Sequence, residues 1–347
     1  MGDFLREISG NDLRGMQQVK SLLEQEGIRL DGNLDYTCGL FDEDGRLAAT
    51  GSCFGNTIRC LAVSSARQGE GLLNQVVSHL TEVQMGRGHA HLFLYTKIKS
   101  SRFFGDLGFT EIARVEDSLV FMENRRKGFK NYCAALEKTR VPGKTAAAIV
   151  MNANPFTLGH RHLVEQACRE NELVHLFVLS EEAGPIPFAV RRRLVAEGTA
   201  DLPNVILHDS GPYIISNATF PSYFLKDGDT VIRTHAALDI AVFEKIASIL
   251  GVTRRYVGEE PTSHVTSLYN RVMAEALPAA GVDCVIIPRL QTNGAPISAS
   301  TVRQAIHDDR LESVRNMLPD STYRYFAGPE GAAVTAAIRA QKEVIHY

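Results

Sequence analysis

The second half of the chain alternates short apolar runs with stretches in which apolar residues recur every three or four positions. The apolar runs predict buried strands, and the recurring positions predict amphipathic helices. The predicted strands are Ala146–Met151, Leu173–Leu179, Val205–His208, Thr230–Ile232, Arg255–Val257 and Cys284–Ile287. The predicted helices are Gly159–Glu170, Phe188–Gly198, Leu238–Leu250 and Ser298–Ile306. This alternation predicts a mostly parallel sheet, which binds its ligand at the carboxyl ends of the strands.

The first part of the chain carries a different pattern. Asp12 is typical of a helix start and Gly27 of a helix end. The turn residues 43–45 join two apolar runs and predict a hairpin. The predicted elements are strands Asp35–Asp42, Arg46–Phe54, Ile58–Ser64 and His91–Tyr95, helices Leu72–Met85 and Ser100–Asp106, and two strands after Gly108. Together they predict an α+β unit.

A connector separates the two patterns. A basic run over residues 125–130 precedes a helix-like run, Tyr132–Glu137, and then Pro142 and Gly143. Such residues are typical of a linker. The predicted organisation is an N-terminal domain over residues 1–123, a basic connector over 124–144, and a second domain with C-terminal helices over 145–347. The fold class is therefore α/β.

Composition narrows the function classes. The 347 residues carry a formal net charge of −3, which disfavours a dedicated nucleic-acid binder. No apolar run reaches the ~20 residues that span a bilayer, and the N-terminal residues lack the pattern of a signal peptide. The six cysteines have no metal-site spacing, which favours structural thiols in a reducing compartment. We expect a cytoplasmic protein with no nucleic-acid or membrane partner.

A glycine-rich turn follows the predicted strand Ile58–Ser64. The sequence Gln68-Gly69-Glu70-Gly71-Leu72-Leu73 can present backbone amides to a pyrophosphate at a helix start. Together with the segment Arg102–Phe109, it resembles the GCN5-related N-acetyltransferase (GNAT) family over residues 2–122. The resemblance implies that this loop holds acetyl-CoA. Leu73, in place of a small residue, and the Glu70 carboxylate argue against that ligand, so recognition is favoured over acetyl transfer.

The most specific motif follows the strand Ala146–Met151. Asn152, Ala153 and Asn154 end the strand, and Thr157-Leu158-Gly159-His160 opens a helix whose free amides suit phosphate. Gly159 lacks the Cβ that would keep a triphosphate away. His160 lies on the first turn, where its imidazole can donate to a phosphate oxygen. A capped helix with a surface histidine is the structural alternative.

A second motif starts the predicted helix after Cys284–Ile287. Ser298 and Ser300 suit hydroxyl contacts with phosphate, and Arg303 follows one turn later as a cation. The two motifs, T-x-G-H and I-S-x-S-x-x-R, resemble the HxGH nucleotidyltransferase superfamily. The resemblance implies attack on the α-phosphate of ATP and release of pyrophosphate, with magnesium bound. No metal ligand of the protein is assigned.

The resemblance carries residue roles over to this chain. The candidate catalytic residues are Thr157, His160 and Arg303. The candidate ATP-binding residues are Asn152, Ala153, Asn154, Gly159, His160, Gly258, Glu259, Ser298, Ser300, Thr301 and Arg303.

Along nearly its whole length the chain resembles the citrate lyase ligase family. Besides the two phosphate motifs, the matching segments are Val231–Asp239 and Tyr256–Pro261. The resemblance implies an acid-thiol ligase that activates acetate with ATP as acetyl-AMP. It then acetylates the thiol of the phosphoribosyl-dephospho-CoA group on the acyl-carrier subunit of citrate lyase. Acetate and that carrier subunit are the expected partners.

The acetate carboxylate needs a cation near the α-phosphate. Arg233 and His235 follow the predicted strand Thr230–Ile232, so one of them is expected to contact acetate or the carrier arm. Arg191-Arg192-Arg193 is expected to form a solvated helix face.

Two alternatives for the function of the protein stay open. One is an adenylyltransferase that makes a dinucleotide-type cofactor and is fused to an acetyltransferase. The other is a CoA or nucleotide sensor without catalysis.

Overall fold

The computed structural model describes residues 3–182, 184–214, 216, 220, 221, 223, 225, 228–260 and 263–341. The chain divides into two compact units. The first comprises residues 1–131 and 221–234, and the second comprises residues 132–220 and 235–347. The division at residue 131 falls within the stretch expected to be a connector. The sequence patterns did not indicate that residues 221–234 group with the first unit.

The first unit contains a seven-stranded mixed sheet in the order β1-β2-β3-β4-β5-β7-β6. Its strands are β1 Phe4–Glu7, β2 Tyr36–Phe41, β3 Leu47–Phe54, β4 Thr57–Val63, β5 Phe93–Thr96, β6 Thr110–Val115 and β7 Leu119–Glu123. Its helices are α1 Leu13–Gln25, α2 Leu72–Gly86 and α3 Ile98–Asp106. Only the β4–β5 pair among these strands is parallel. The predicted α+β unit is confirmed, with strand β1 added.

Local chemistry explains where these elements start and turn. The Asp12 carboxylate accepts a hydrogen bond from the Gly15 amide at 2.8 Å and so caps helix α1 as predicted. Gly45 adopts φ +73° in the predicted hairpin between β2 and β3, a conformation that glycine reaches without steric cost. Both local signals are therefore confirmed.

In the glycine loop before α2, Gly69 and Gly71 both have positive φ, a conformation that favours glycine. Its charge differs from the expectation. Arg67 Nε donates to the Glu70 carboxylate at 2.9 Å, and the same guanidinium pairs with Asp3. Glu70 is thus balanced by a neighbouring cation rather than left as a lone negative charge in the loop.

The second unit is built on a parallel five-stranded sheet in the order β10-β9-β8-β11-β12. The linking helix α4, Gly128–Glu137, precedes it. The strands are β8 Ala146–Met151, β9 Leu173–Val178, β10 Val205–Asp209, β11 Val252–Gly258 and β12 Asp283–Ile287. The strand order reverses between β8 and β11, which is the usual position of a ligand site in such a sheet.

Helices and one hairpin complete this unit. The helices are α5 Leu158–Glu170, α6 Phe188–Gly198, α7 Gly228–Leu250, α8 His264–Ala276, α9 Ala299–His307, α10 Asp320–Ala327 and α11 Ala332–Arg339. Helix α7 begins in residues of the first unit. The hairpin consists of β13 Gln291–Thr292 and β14 Ala295–Pro296. The predicted parallel sheet with alternating helices is confirmed.

One predicted strand is wrong. Residues Thr230–Ile232 lie in helix α7. Their β-branched side chains favour a strand locally. Downstream, however, buried side chains recur at helical spacing, at Ala236, Asp239, Phe243 and Ile246. Burial of this long face decides the conformation of the whole segment.

Two buried histidines on adjacent strands contact each other in the sheet of the second unit. His175 on β9 and His208 on β10 lie with Nδ1 and Nε2 2.9 Å apart, and both side chains are buried. Burial lowers the pKa of each histidine to about 4. Both are therefore neutral near pH 7 in the folded protein.

We expect the free energy of unfolding to fall by about 1 kcal/mol per histidine of this pair as pH drops from about 7 to about 5.5. The unfolded histidines, with pKa about 6.5, take up protons that the folded state excludes. Denaturant unfolding at both pH values measures this loss in the wild type and in the His175→Gln/His208→Gln double variant. His89→Gln, at an exposed position, is the control. An equally steep loss in the double variant would contradict the assignment.

The cysteines behave as small apolar residues. All six are free. Burial raises the pKa of the Cys38 and Cys60 thiols to about 12. Thiolates, the reactive form, are thus suppressed. Separately, none of the helices in the described part of the chain is long and apolar enough to span a membrane.

Candidate active site

A cavity of about 780 Å³ opens at the carboxyl ends of strands β8, β11 and β12. Its wall includes Asn152 after β8, Gly258 and Glu259 at the end of β11, and Arg289 after β12. The first turns of helices α5, α8 and α9 form further parts of the wall. Helix N-termini carry amides without intrahelical partners and a partial positive charge, so the cavity is suited to an anionic ligand.

Thr157 and His160 form a capping box at the start of α5. The Thr157 amide donates to His160 Nδ1 at 3.1 Å, and the Thr157 hydroxyl lies 2.9 Å from the same nitrogen. The His160 amide donates back to the Thr157 hydroxyl at 3.4 Å. Because Nδ1 accepts a hydrogen bond, the ring proton is assigned to Nε2. The capping box therefore fixes both the orientation and the tautomer of His160.

The His160 imidazole is neutral. Burial and the nearby charge of Arg289 lower its pKa to about 4. The ring stacks on Phe156, with centroids 5.9 Å apart. His160 lines the cavity. A neutral, fixed imidazole with a proton on Nε2 can donate a hydrogen bond. The contact of His160 with a phosphate oxygen stays a prediction.

Gly159, Ser298 and Ser300 come together at the start of α5 and α9. A Cβ at Gly159 would lie 3.4 Å from the Ile297 carbonyl oxygen, so the two helix starts approach closely here. The Ser298 and Ser300 hydroxyls lie 2.6 Å apart, and both side chains line the cavity. The two phosphate motifs, far apart in the sequence, thus share one cavity.

Arg303 lines the same cavity but is largely buried. Its Nη1 donates to the Asn154 carbonyl oxygen. This contact joins α9 to the loop after β8. Ala153 and Asn154 are buried and do not line the cavity, and Thr301 is exposed outside it. These three candidate ATP-binding residues therefore have no direct place in the cavity wall.

Arg191 corrects the expectation of a solvated face. It is 2% exposed, and burial lowers its pKa. Its Nη1 donates to the Asn152 carbonyl at 2.8 Å and to the Asn152 side-chain oxygen at 2.9 Å. Further contacts reach backbone carbonyls of Leu179 and Ile186. Arg191 therefore anchors the end of β8. Three consecutive arginines in the sequence concealed that one of them faces inward.

Arg233 and His235 do not reach the cavity. Both lie on α7 rather than after a strand. Arg233 is exposed, whereas the buried His235 ring stacks on Phe220 with centroids 4.6 Å apart. The expectation that they mark the sheet edge failed because it depended on the strand at residues 230–232.

Arg289 and Asn270 also lie at the site, and neither is among the residues predicted from the sequence. Arg289 Nε donates to the Glu259 carbonyl at 2.9 Å, and Asn270 on α8 donates to the Gly258 carbonyl at 2.9 Å. Both contacts hold the end of β11. Arg289 follows the predicted strand Cys284–Ile287 by two residues, so the rule that ligands bind at strand ends was the signal that could have found it.

The described residues contain no group of three or more His, Cys, Asp or Glu side chains that could hold a metal ion. They do not fit a magnesium site built by the protein alone. Magnesium commonly binds a protein through one or two carboxylates together with the phosphates of a ligand.

Comparisons with known proteins identify the relatives of the chain. Residues 146–326 match the family model of the citrate lyase ligase C-terminal domain. The citrate (pro-3S)-lyase ligase of Escherichia coli (strain K12) is 35% identical, over 93% of this chain and 93% of that relative. That of Klebsiella pneumoniae is 36% identical, over 89% of this chain and 92% of the relative.

Solved structures match the chain over a smaller share. Escherichia coli ElaA is 17% identical and covers 35% of this chain and 99% of its own, with a TM-score of 0.30. The GNAT-family acetyltransferase YhbS of Escherichia coli, in complex with CoA, covers 37% of this chain and 84% of its own at 13% identity, with a TM-score of 0.28. The full-length relatives and the family model decide the family. The chain belongs to the citrate lyase ligase family.

Proposed function

We propose that this protein is an acid-thiol ligase that activates citrate lyase by acetylating the thiol prosthetic group on its acyl-carrier subunit. The observation that carries the proposal is the convergence of the α5 and α9 starts on one cavity at the switch point of a parallel sheet. The names of the relatives that match most of the chain support citrate lyase as the protein that is activated.

The proposed reaction has two steps. A carboxylate oxygen of acetate attacks the α-phosphorus of ATP, the bond to the bridging oxygen breaks, and pyrophosphate leaves. The thiol of the phosphoribosyl-dephospho-CoA arm loses its proton to solvent, and the thiolate attacks the carbonyl carbon of acetyl-AMP. AMP leaves as the thioester forms. Neither step needs a covalent bond to the enzyme, so positioning and electrostatics supply the catalysis.

The chain's own residues have distinct roles in this scheme. His160 donates a hydrogen bond from its Nε2–H to a phosphate oxygen as negative charge develops, and keeps the proton. Ser298 and Ser300 offer hydroxyl donors to the β- and γ-phosphates. Arg303 holds the loop after β8 through the Asn154 carbonyl and adds positive charge to the cavity floor. Magnesium, when bound to the ATP phosphates, would neutralise part of their charge.

We expect exchange of labelled pyrophosphate into ATP to require acetate. The acyl-adenylate forms reversibly only when the carboxylate is present, so exchange without acetate should stay at background. Replacing acetate by nicotinamide mononucleotide or pantetheine phosphate tests the dinucleotide alternative. Exchange that ignores acetate but responds to either of these would refute the proposal. Absence of exchange with every substrate would instead support a binding-only role.

A further inference from the structure

Two permanently charged cations line the cavity among the described residues, Arg289 and Arg303. Arg303 is 3% exposed and is directed to the Asn154 carbonyl. The Arg289 side chain is 27% exposed and lies at the carboxyl end of β12. Arg289 is therefore the cation that an incoming anion meets first.

The contacts of Arg289 show what it can bind. Its Nε donates to the Glu259 carbonyl, and its Nη2 forms an ion pair with the Glu260 carboxylate. A guanidinium has five N–H donors in a planar fork that matches a carboxylate, and these two contacts use two of them. In the described structure, the guanidinium of Arg289 thus already binds a carboxylate of the protein, that of Glu260.

Arg289 also acts in the space that His160 faces. Its charge contributes, after burial, to the lowered pKa of His160. Both side chains line the same cavity. A carboxylate bound to Arg289 would therefore lie in the cavity that receives the phosphates.

We propose that Arg289 binds the carboxylate of the acid substrate, and that Glu260 occupies the guanidinium until the substrate displaces it. The inference rests on the proposed function. It gives Arg289 the role that the sequence assigned to Arg233 or His235. Its physical reason is that two anions, the carboxylate and the α-phosphate, must approach each other, and a cation between them offsets their repulsion.

Acetate-dependent pyrophosphate exchange tests this role in four variants of the full chain. Arg289→Gln should raise the KM for acetate about tenfold or more and the KM for ATP by a clearly smaller factor, because Arg289 also holds the end of β11 through the Glu259 carbonyl. Arg289→Lys should recover part of the loss, because it keeps the charge without the planar fork. Glu260→Gln should lower the KM for acetate by removing the competing carboxylate. Arg254→Gln, outside the cavity on neighbouring β11, is the matched control.

The outcomes separate this inference from the function on which it rests. A wild type without acetate-dependent exchange overturns the proposed function. An active wild type whose Arg289→Gln variant keeps its KM for acetate overturns the role of Arg289 alone, as does a rise confined to the KM for ATP. Titration of His160 by NMR adds a readout that needs no turnover. The pKa of His160 should rise in Arg289→Gln, because, after burial, the positive charge of Arg289 lowers it in the wild type. An unchanged pKa would contradict the placement of Arg289 close to His160.

Discussion

Replacing His160 by alanine is expected to lower the turnover number for adenylate formation by about 10²–10³-fold, the usual cost of removing one preorganised donor from a transition state. The capping box holds the ring in one tautomer, and burial with the charge of Arg289 keeps it neutral, so its Nε2–H is a hydrogen-bond donor at a fixed position. Alanine removes that donor. The start of α5 retains the Thr157 hydroxyl as its cap.

Single-turnover formation of the acyl-adenylate, with ATP and acetate saturating, measures this loss directly. His160→Asn should recover part of the rate, because its side-chain oxygen can accept from the Thr157 amide while its NH₂ group faces the cavity. His89→Ala, at an exposed position of the first unit, controls for loss of a histidine. Thermal unfolding of each variant checks the fold. A stable His160→Ala protein with near-normal adenylate formation would remove His160 from the reaction.

Local sequence patterns predicted most of the fold because they report burial directly. Strand β8 and helix α6 were predicted with the bounds that the structure has, since an uninterrupted apolar run and a helical period leave few alternatives. Strand β1 was missed because its residues are mostly exposed or half-buried, so alternating charge concealed it. Helix α7 was split because three β-branched residues outweighed its long buried face.

The two helix starts that line the cavity were predictable, because their residues are typical of helix N-termini. These are the motifs at Thr157–His160 and Ser298–Ser300, and the free amides of a helix N-terminus are suited to phosphate. Their meeting in one cavity follows from the parallel sheet, which was also predicted. The rest depends on contacts between distant segments. The position of Arg289 after a predicted strand was visible in the sequence, but its contacts with Glu259 and Glu260 came only from the structure. The contact of Arg191 with Asn152 likewise came only from the structure.

A second large effect, on stability, is expected at a buried ion pair between strand β11 and helix α7, two segments that are apart in the sequence. Arg255 on β11 donates from Nη2 to the Asp239 carboxylate on α7 at 2.7 Å, and the two side chains are 4% and 2% exposed. The guanidinium also lies 4.3 Å from the centre of the Phe243 ring. Removing one partner leaves the other charge buried without its counterion, which costs about 3–5 kcal/mol. Asp239→Leu and Arg255→Met are each expected to destabilise the second unit by this amount.

Removing both charges should cost much less than the sum of the single changes, because desolvation of the pair offsets most of its attraction. For a unit of this size, each single variant should lower the melting temperature by roughly 6–20 °C, at about 2–4 °C per kcal/mol. The Asp239→Leu/Arg255→Met double variant should melt nearer to the wild type than either single variant. Calorimetry of the four proteins at one pH gives the coupling between the two sites. Additive losses would mean that the pair stabilises α7 against β11 through packing alone. Recovery in the double variant would mean that each charge is needed chiefly because the other is present.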